Sequence, residues 1–310
     1  MTEPRPDGVV RLMMSFWYYR KKDMAAKVAA TGLPTRLMVD SGAFSAHEQR
    51  GESEGVKLAD YAAWLTDWWP VITTAINLDV ISDPKASMRN QLALEERGLA
   101  VTPVWHMGSS YAELEALCRD YRYVAVGGPA VTETRRSLLL ALSAKAVLIA
   151  REHGTVLHGL GRSGQDDLSA IPWYSADAAS WMYAVFNGGV ILYDRGRLHN
   201  LKHPKAARNY RPLLRTHGLD PAEMDHPSFA LKRDRDDLAQ YRHEYHMAER
   251  ATAIAMKRFE AWLRQRHGHV PPPPGHTDAG PSIYFVTPTQ PHEWIAASAV
   301  QWLVDQGEAA

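Results

Sequence analysis

The chain has 310 residues, of which 45% are hydrophobic and 23% are charged, and its formal net charge is zero. This composition is ordinary for a globular protein with a large core, and zero net charge means that affinity for a polyanion must come from local basic patches. Cys118 is the only cysteine, which excludes an intrachain disulfide and a zinc site built from several cysteines. Because the sequence has neither a signal-peptide pattern nor a long apolar run, we expect a cytoplasmic protein without a membrane anchor.

Short apolar runs alternate with helix-like segments along the chain, as expected of β/α units around a parallel sheet. The predicted strands are residues 9–18, 36–41, 73–80, 100–106, 123–127, 155–160, 173–177 and 190–193. The predicted helices include residues 58–69, 85–98, 111–121, 132–153 and a long one over residues 235–266. Eight strands close a barrel of the TIM type, so we expect an α/β fold with (β/α)₈ architecture.

The C-terminal part of the chain is predicted to add to this barrel. Residues 1–270 form the barrel domain in this interpretation, and the four prolines at residues 271–274 stiffen a linker over residues 271–281. Residues 282–310 are predicted to form one further strand and helix. We expect this extension to pack on the same domain.

Polar residues and glycines follow or end most of the predicted strands. They are Asp40, Asp79, His106, the pair Gly127-Gly128, His158 and Asp177. Catalytic groups in a TIM-type barrel lie at the C-terminal ends of the strands. Taken singly, each aspartate is equally typical of a turn or a helix cap, and His106 is equally typical of a buried imidazole with satisfied hydrogen bonds. Together they predict a polar pocket with acid, base and nucleophile roles.

Several segments at these positions resemble the motifs of tRNA-guanine transglycosylases. Asp40-Ser41-Gly42-Ala43-Phe44 is similar to the family's Asp-Ser-Gly-Gly-Phe/Tyr motif, and residues 126–131 are similar to its Gly-Gly-Leu-Ala-Val segment. The string His158-Gly159-Leu160-Gly161 resembles the Met-Gly-Val-Gly turn, which puts Asp177 at the place of the family's nucleophile. The resemblance covers about residues 36–195 and depends on the order and spacing of the motifs.

Within this superfamily, the chain looks more like the phage and bacterial enzymes that insert 7-deazaguanine bases into DNA. Ala43, the aromatic stretch at residues 173–181 and the modest length carry that likeness. The resemblance implies a pentosyltransferase that replaces guanine in DNA with a 7-deazaguanine such as 7-cyano-7-deazaguanine, through a covalent aspartyl-deoxyribose intermediate. The target guanine would be flipped out of a duplex or presented on a single strand. Related enzymes often dimerise, so a homodimer is an alternative to a monomer for this chain.

The resemblance also assigns roles to individual residues. Asp177 is expected to be the nucleophile and Asp40 the general acid and base, while Asp79 accepts hydrogen bonds from the N1 and exocyclic amine hydrogens of guanine. The remaining base-binding candidates, which surround the same pocket, are Ser41, His106, Gly127, Gly128 and His158.

A basic stretch follows the predicted nucleophile strand. Residues 195–217 contain no acidic residue, and their cations include Arg195, Arg197, Lys202, Lys205, Arg208 and Arg211. Such a stretch is often only a solvated surface, but its place in the chain predicts a groove that follows the phosphates of DNA.

Zinc is not a favoured cofactor for this sequence. The tRNA enzymes hold zinc with three cysteines and a histidine after the nucleophile, and the corresponding stretch here has no cysteine. A zinc site on His199 and His203, with His217 or His226 as a third ligand, is the alternative left open. Solvated or phosphate-binding histidines are the commoner interpretation.

Three other functions remain in competition. The first is a transglycosylase that acts on tRNA with the same base chemistry. The second is a catalytically silent barrel that binds a nucleic acid or a nucleobase, against which the presence of both Asp40 and Asp177 argues. The third is an unrelated barrel hydrolase or lyase for a small phosphorylated substrate, for which the sequence shows no glycine-rich phosphate loop after the seventh or eighth predicted strand.

Overall fold

The computed structural model describes residues 3–43, 45, 55–80, 83–128, 136–186, 189–201, 208–221, 238–288 and 292–309. The strands are β1 Val10–Ser15, β2 Thr35–Asp40, β3 Thr74–Ala75, β4 Val104–His106, β5 Tyr123–Gly127, β6 Val156–Gly159, β7 Ser175–Ala178, β8 Val190–Asp194, β9 Arg197–Leu201 and β10 Ser282–Val286. The helices are α1 Phe16–Tyr19, α2 Met24–Ala29, α3 Leu58–Trp68, α4 Pro84–Glu95, α5 Tyr111–Asp120, α6 Arg136–Glu152, α7 Gln165–Ala170, α8 Ser180–Phe186, α9 Arg211–Thr216, α10 Leu238–His267 and α11 His292–Asp305.

Eight strands form one curled parallel sheet in the order β3-β2-β1-β10-β7-β6-β5-β4. The strands alternate with helices, consistent with a TIM-type barrel, but continuous strand pairing does not close the sheet. Its two edges are joined by an isolated parallel bridge between Ile76 and Thr102. There the backbone amide of Asn77 donates to the Thr102 carbonyl at 2.9 Å, and the Thr102 amide donates to the Ala75 carbonyl at 2.7 Å.

Seven of the eight predicted strands are confirmed as members of this sheet, although several are shorter than predicted. The prediction that residues 190–193 form the eighth is wrong, because β8 pairs antiparallel with β9 in a separate hairpin. The two residues of its turn, Arg195 and Gly196, both have positive φ, as tight hairpin turns require. The eighth place belongs to β10, which pairs with β1 and β7. The segment expected as an extension thus contributes a strand inside the sheet.

Capping residues fix where several helices begin after the preceding strand or loop. Asp23, Asp83 and Ser110 cap α2, α4 and α5, each accepting a hydrogen bond from a backbone amide three residues later. Pro84 follows Asp83 in the first turn of α4, where a missing amide hydrogen costs nothing. Within the described ranges, no helix is both long enough and apolar enough to cross a membrane.

Strand alternation separates two apolar layers. Leu12 of β1 and Leu37 of β2 belong to the large cluster that includes residues of the surrounding helices. Met13 and Met38, which lie opposite each other in the β1–β2 ladder, belong to a second cluster with Tyr123. We assign this second cluster to the inside of the curl, because successive side chains of a strand point to opposite faces. By the same alternation, Asp40 points inward from the end of β2.

The N-terminal end of the sheet is held by a buried ionic cluster. The Arg11 guanidinium of β1 is 1% exposed and forms ion pairs with Asp7 at 2.8 Å, Glu260 at 3.0 Å and Asp278 at 3.0 Å. Lys257 adds pairs to Asp7 at 2.7 Å and to Glu260 at 3.2 Å. Burial alone would raise the pKa of Asp7, but the Lys257 and Arg11 charges lower it far below its usual range. The cluster connects the N-terminal segment, β1, α10 and the segment before β10.

The segment between α10 and β10 covers this end of the curled sheet. Val270 and Gly280 form an antiparallel bridge within it. The His276 ring packs edge-on against Tyr123 with 5.2 Å between centroids, and the Tyr174 hydroxyl donates to the Asp278 carbonyl at 2.9 Å. The segment that contains the four prolines therefore packs against the N-terminal end of the sheet. The predicted site lies at the opposite, C-terminal end.

We predict that Glu260→Gln lowers the free energy of unfolding by about 3–5 kcal/mol, since it removes one partner of a buried network and leaves cations uncompensated. Glu260 also accepts from the Ile283 amide of β10, so the same change loosens a backbone contact. Glu115→Gln is the matched control, because Glu115 pairs with Arg119 on the surface. That change should cost less than about 1 kcal/mol. Denaturant titration followed by circular dichroism measures both, and equal losses would contradict the role of the cluster.

Candidate active site

The turn after β2 presents Asp40 and requires a glycine. Gly42 has φ of +69°, and a Cβ at this position would lie 2.0 Å from the Ser15 hydroxyl and 2.7 Å from Trp17 Cβ. No other residue fits without moving β1. The Ser41 hydroxyl accepts from the Ala43 amide at 3.3 Å, so this side chain stabilises the turn itself. The Asp-Ser-Gly motif is thus explained by local geometry, and the base-binding role predicted for Ser41 stays a prediction.

Asp40 is the carboxyl group with the most strongly altered protonation at this end of the sheet. Burial and the nearby Asp177 charge raise its pKa from 3.8 to about 7, and Asp79 adds a smaller effect in the same direction. Ser15 and the Gly42 backbone partly oppose the shift. A carboxyl group with this pKa holds a proton in a large fraction of molecules at neutral pH and can both donate and accept one.

Asp177, on β7, sits in a different environment. Its Oδ1 accepts a hydrogen bond of 2.7 Å from the Gly161 amide. Gly161 has φ of +66°, so the turn after β6 needs glycine to point this amide at the carboxylate. His158 Nε2 lies 3.3 Å from the same oxygen. Among the described residues we find no hydrogen-bond donor to Oδ2.

A chain of buried polar side chains continues behind Asp177. His158, which is fully buried, places Nδ1 2.7 Å from the Ser175 hydroxyl. That hydroxyl is 2.6 Å from the Tyr123 hydroxyl. The sequence predicted His158 at the site but missed Ser175 and Tyr123, although Ser175 lies two residues before Asp177 and alternation puts both on one face of β7.

Asp79 and His106 form a pair at the adjoining edge strands. Asp79 Oδ2 is 2.8 Å from His106 Nε2, within ion-pair distance but without the angle of a hydrogen bond. The His106 ring lies against Gly127, where an added Cβ would come within 2.5 Å of Nδ1. Gly127 therefore makes room for the imidazole. Gly128 is exposed, and its backbone is open to approach.

Two further features beside this pair were not predicted from the sequence. The Tyr61 hydroxyl donates to the Ile76 carbonyl at 2.7 Å, and its pKa is raised well above 10 by burial, with Asp40 and Asp79 adding to the effect. A cavity of about 330 Å³ is lined by His106 together with Met88, Trp105 and Leu117. Aromatic and apolar residues at these positions are typical of ordinary core packing, so the sequence carried no signal for either feature.

The described residues of the predicted basic stretch lie on the β8–β9 hairpin and at α9. Arg195 and Arg197 lie at the turn of the β8–β9 hairpin. Next to this turn, the Tyr193 hydroxyl donates to Glu3 at 2.8 Å, and Gly196 packs against Trp262, leaving too little room for a Cβ. These contacts hold the turn against the N-terminal segment and α10. Arg211 is exposed at the start of α9.

Two of the histidines considered as zinc ligands, His217 and His199, make other contacts. His217 is buried, its Nε2 accepts from the Tyr193 amide at 3.0 Å, and its Nδ1 contacts the Leu213 carbonyl at 2.8 Å. Burial and the Arg258 charge lower its pKa to about 3, so it is neutral and both nitrogens are engaged. His199 packs against Tyr210 with 5.3 Å between ring centroids. Across the described parts of the chain, no group of three potential ligands could hold a metal ion.

Some predicted residues lie outside the described residues. These are Phe44, Pro129, Ala130, Val131, Lys202, His203, Lys205 and His226, together with the side chain of Arg208. The predicted roles of Lys202, His203, Lys205, Arg208 and His226 stay predictions.

No protein-family model matches the sequence, and a search of curated proteins found no match. The assignment of function therefore depends on the site itself.

We predict that Asp177→Asn lowers the pKa of Asp40, because it removes the largest neighbouring charge that raises it. Asp79→Asn should produce a smaller decrease, and Asp67→Asn, an exposed position on α3, none. The titration is followed by ¹³Cγ NMR of labelled aspartates, with the Asp40 signal assigned by its loss in Asp40→Asn. An Asp40 pKa that is the same with and without Asp177 would show that the two carboxylates do not interact.

Proposed function

We propose that this protein exchanges guanine in DNA for a 7-deazaguanine base through a covalent bond between Asp177 and deoxyribose. The observation that carries the proposal is the difference in environment between two carboxyl groups at the same end of the sheet. Asp40 has a pKa of about 7, while Asp177 accepts a hydrogen bond on Oδ1 from the Gly161 amide. Environments that separate the protonation of two nearby acids are typical of acid and nucleophile pairs.

In the first step, Asp177 Oδ2 forms a bond to C1′ of the target nucleotide as the bond from C1′ to N9 of guanine breaks. The electron pair of that bond leaves with guanine, and protonated Asp40 supplies the proton that neutralises the base. The donor on Oδ1 keeps the carboxylate oriented while Oδ2 reacts. The products of this step are free guanine and a sugar esterified to Asp177.

In the second step, N9 of the incoming 7-deazaguanine attacks C1′ and displaces Asp177. Asp40, now ionised, takes the proton from the incoming base and is restored to its starting state. Two displacements at C1′ retain the anomeric configuration. No net proton is gained or lost by the protein. Each displacement at C1′ leaves every oxidation state unchanged, so the exchange needs no redox partner.

Asp79 is suited to recognise the base that both steps share. A carboxylate accepts hydrogen bonds from the N1 and exocyclic amine hydrogens of guanine, a pair that 7-deazaguanines retain. The His106 ring beside it, seated on Gly127, limits the movement of this carboxylate. Phosphate contacts by Arg208 and Arg211 are part of the same proposal, with the tRNA-directed reaction as the competing outcome.

We predict that a purified sample incubated with a guanine-containing DNA strand carries the sugar on Asp177. Intact mass and a peptide digest after denaturation detect and place the adduct. Asp177→Ala should abolish exchange while binding is retained, whereas Asp40→Asn should slow it by about 10²–10⁴-fold, since it loses mainly proton transfer. Adduct on Asp40 or Asp79 would refute the assignment of the nucleophile, and full exchange by Asp177→Ala would refute the covalent mechanism.

We predict that Asp79→Asn lowers kcat/KM for guanine-containing strands by about 10–100-fold, because one acceptor becomes a donor and a hydrogen bond to a charged group is worth roughly 1.5–3 kcal/mol. Asp67→Asn, a carboxylate exposed on α3, is the control and should leave kcat/KM unchanged. Steady-state incorporation of labelled base measures both variants. Equal activity of Asp79→Asn and wild type would remove Asp79 from base recognition.

A further inference from the structure

The buried polar side chains behind Asp177 form a continuous hydrogen-bonded row, in which the donor and the acceptor of each contact can be assigned. Tyr123, Ser175 and His158 are spaced at 2.6 and 2.7 Å, and His158 Nε2 faces Asp177 Oδ1 at 3.3 Å. None of the three is a charged group in need of a counter-ion, and they lie inside the curl, where an ordinary core would be apolar. We propose that His158 is a positioning residue for Asp177, held as its Nε2–H tautomer by Ser175 and Tyr123. This inference rests on the proposed role of Asp177 as nucleophile.

The direction of the hydrogen bonds follows from what each group can donate. If His158 carried its proton on Nδ1, its Nε2 lone pair would face the lone pairs of Asp177 Oδ1, which is repulsive. The favourable arrangement has Nε2–H directed at Asp177, so that Nδ1 accepts from the Ser175 hydroxyl. Because the Ser175 proton is then directed at His158, the Ser175 oxygen accepts a hydrogen bond from the Tyr123 hydroxyl. Burial raises the pKa of Tyr123 well above 10, which keeps this donor protonated.

The consequence is that the Gly161 amide and the His158 ring both act on one oxygen of Asp177. The amide donates to Oδ1 at 2.7 Å and His158 Nε2 lies 3.3 Å from it, which restricts rotation of the carboxylate and leaves Oδ2 as the reacting oxygen of the proposed mechanism. The His158 contact has the distance but not the angles of a hydrogen bond, so its effect on Asp177 is electrostatic, from the partial positive charge on Nε2–H. Loss of orientation by about 1 Å can cost on the order of 10² in rate.

The first test measures the tautomer directly and needs no activity. ¹⁵N-histidine NMR of the full-length protein should show one neutral, Nε2-protonated histidine whose signals vanish in His158→Gln, and the tautomer balance should shift in Ser175→Ala. An Nδ1-protonated or doubly protonated His158 would overturn the proposal.

The second test measures the rate of adduct formation on Asp177 with a guanine-containing strand. Ser175→Ala and Tyr123→Phe should lower kcat by about 10- to 100-fold with little change in KM, because orientation and not binding is lost. Tyr174→Phe is the matched control, since the Tyr174 ring packs against Tyr123 but its hydroxyl donates to the Asp278 carbonyl and not to Ser175 or His158. His158→Gln, which keeps an amide donor, should retain more activity than His158→Ala.

Rates of Tyr123→Phe and Ser175→Ala equal to that of Tyr174→Phe would overturn the positioning role. Equal rates of His158→Gln and His158→Ala would do the same, since the donor would then not matter. Absence of any adduct in the wild type would refute the proposed function instead, and in that case an Nε2–H tautomer would still support the contact between His158 and Asp177.

Discussion

Burial of the Asp40 carboxyl group beside the Asp177 carboxylate is the constraint that organises the candidate site. Both groups lie at the C-terminal end of one curled sheet, on strands separated only by β1 and β10. Burial and the nearby Asp177 charge raise the pKa of Asp40 to about 7, so Asp40 holds a proton in a large fraction of molecules near neutral pH. Asp177 accepts a hydrogen bond from the Gly161 amide. In the proposed mechanism, this difference assigns the acid role to Asp40 and the nucleophile role to Asp177.

The opposite end of the sheet provides the rigidity that this arrangement needs. Arg11 and Glu260 anchor a buried ionic cluster, and Lys257 and Asp7 complete it around the start of β1. β10 has a central place, since it pairs with β1 on one side and with β7 on the other. β10 thereby connects β7, which carries Asp177, to β1 and through it to β2, which carries Asp40. Stability and the proposed chemistry thus lie at opposite ends of the same strands, as is usual for TIM-type barrels.

Much of this architecture could be predicted from the sequence, because apolar runs and the polar residues that end them are local signals. The first seven strands and the positions of Asp40, Asp79 and Asp177 follow from that pattern. The eighth strand could not be identified in the same way, since residues 190–193 and 282–286 are equally strand-like and only pairing partners distinguish them. The close contact of Gly127 with the His106 ring and the burial of His158 also depend on neighbours distant in sequence. The pKa of Asp40, on β2, depends on groups from β1, from β7 and from the segment after β3.

The most direct test of base exchange in DNA is mass spectrometry of nucleosides after incubation with a 7-deazaguanine base. Purified protein is offered either guanine-containing DNA or tRNA, together with 7-cyano-7-deazaguanine or 7-aminomethyl-7-deazaguanine, and each polymer is digested to nucleosides. We expect a 7-deazaguanine deoxynucleoside from DNA, with release of an equal amount of guanine. Modified ribonucleoside from tRNA alone would assign the chemistry to RNA, and unchanged nucleosides from both polymers, under conditions where the protein is folded, would contradict the proposed reaction.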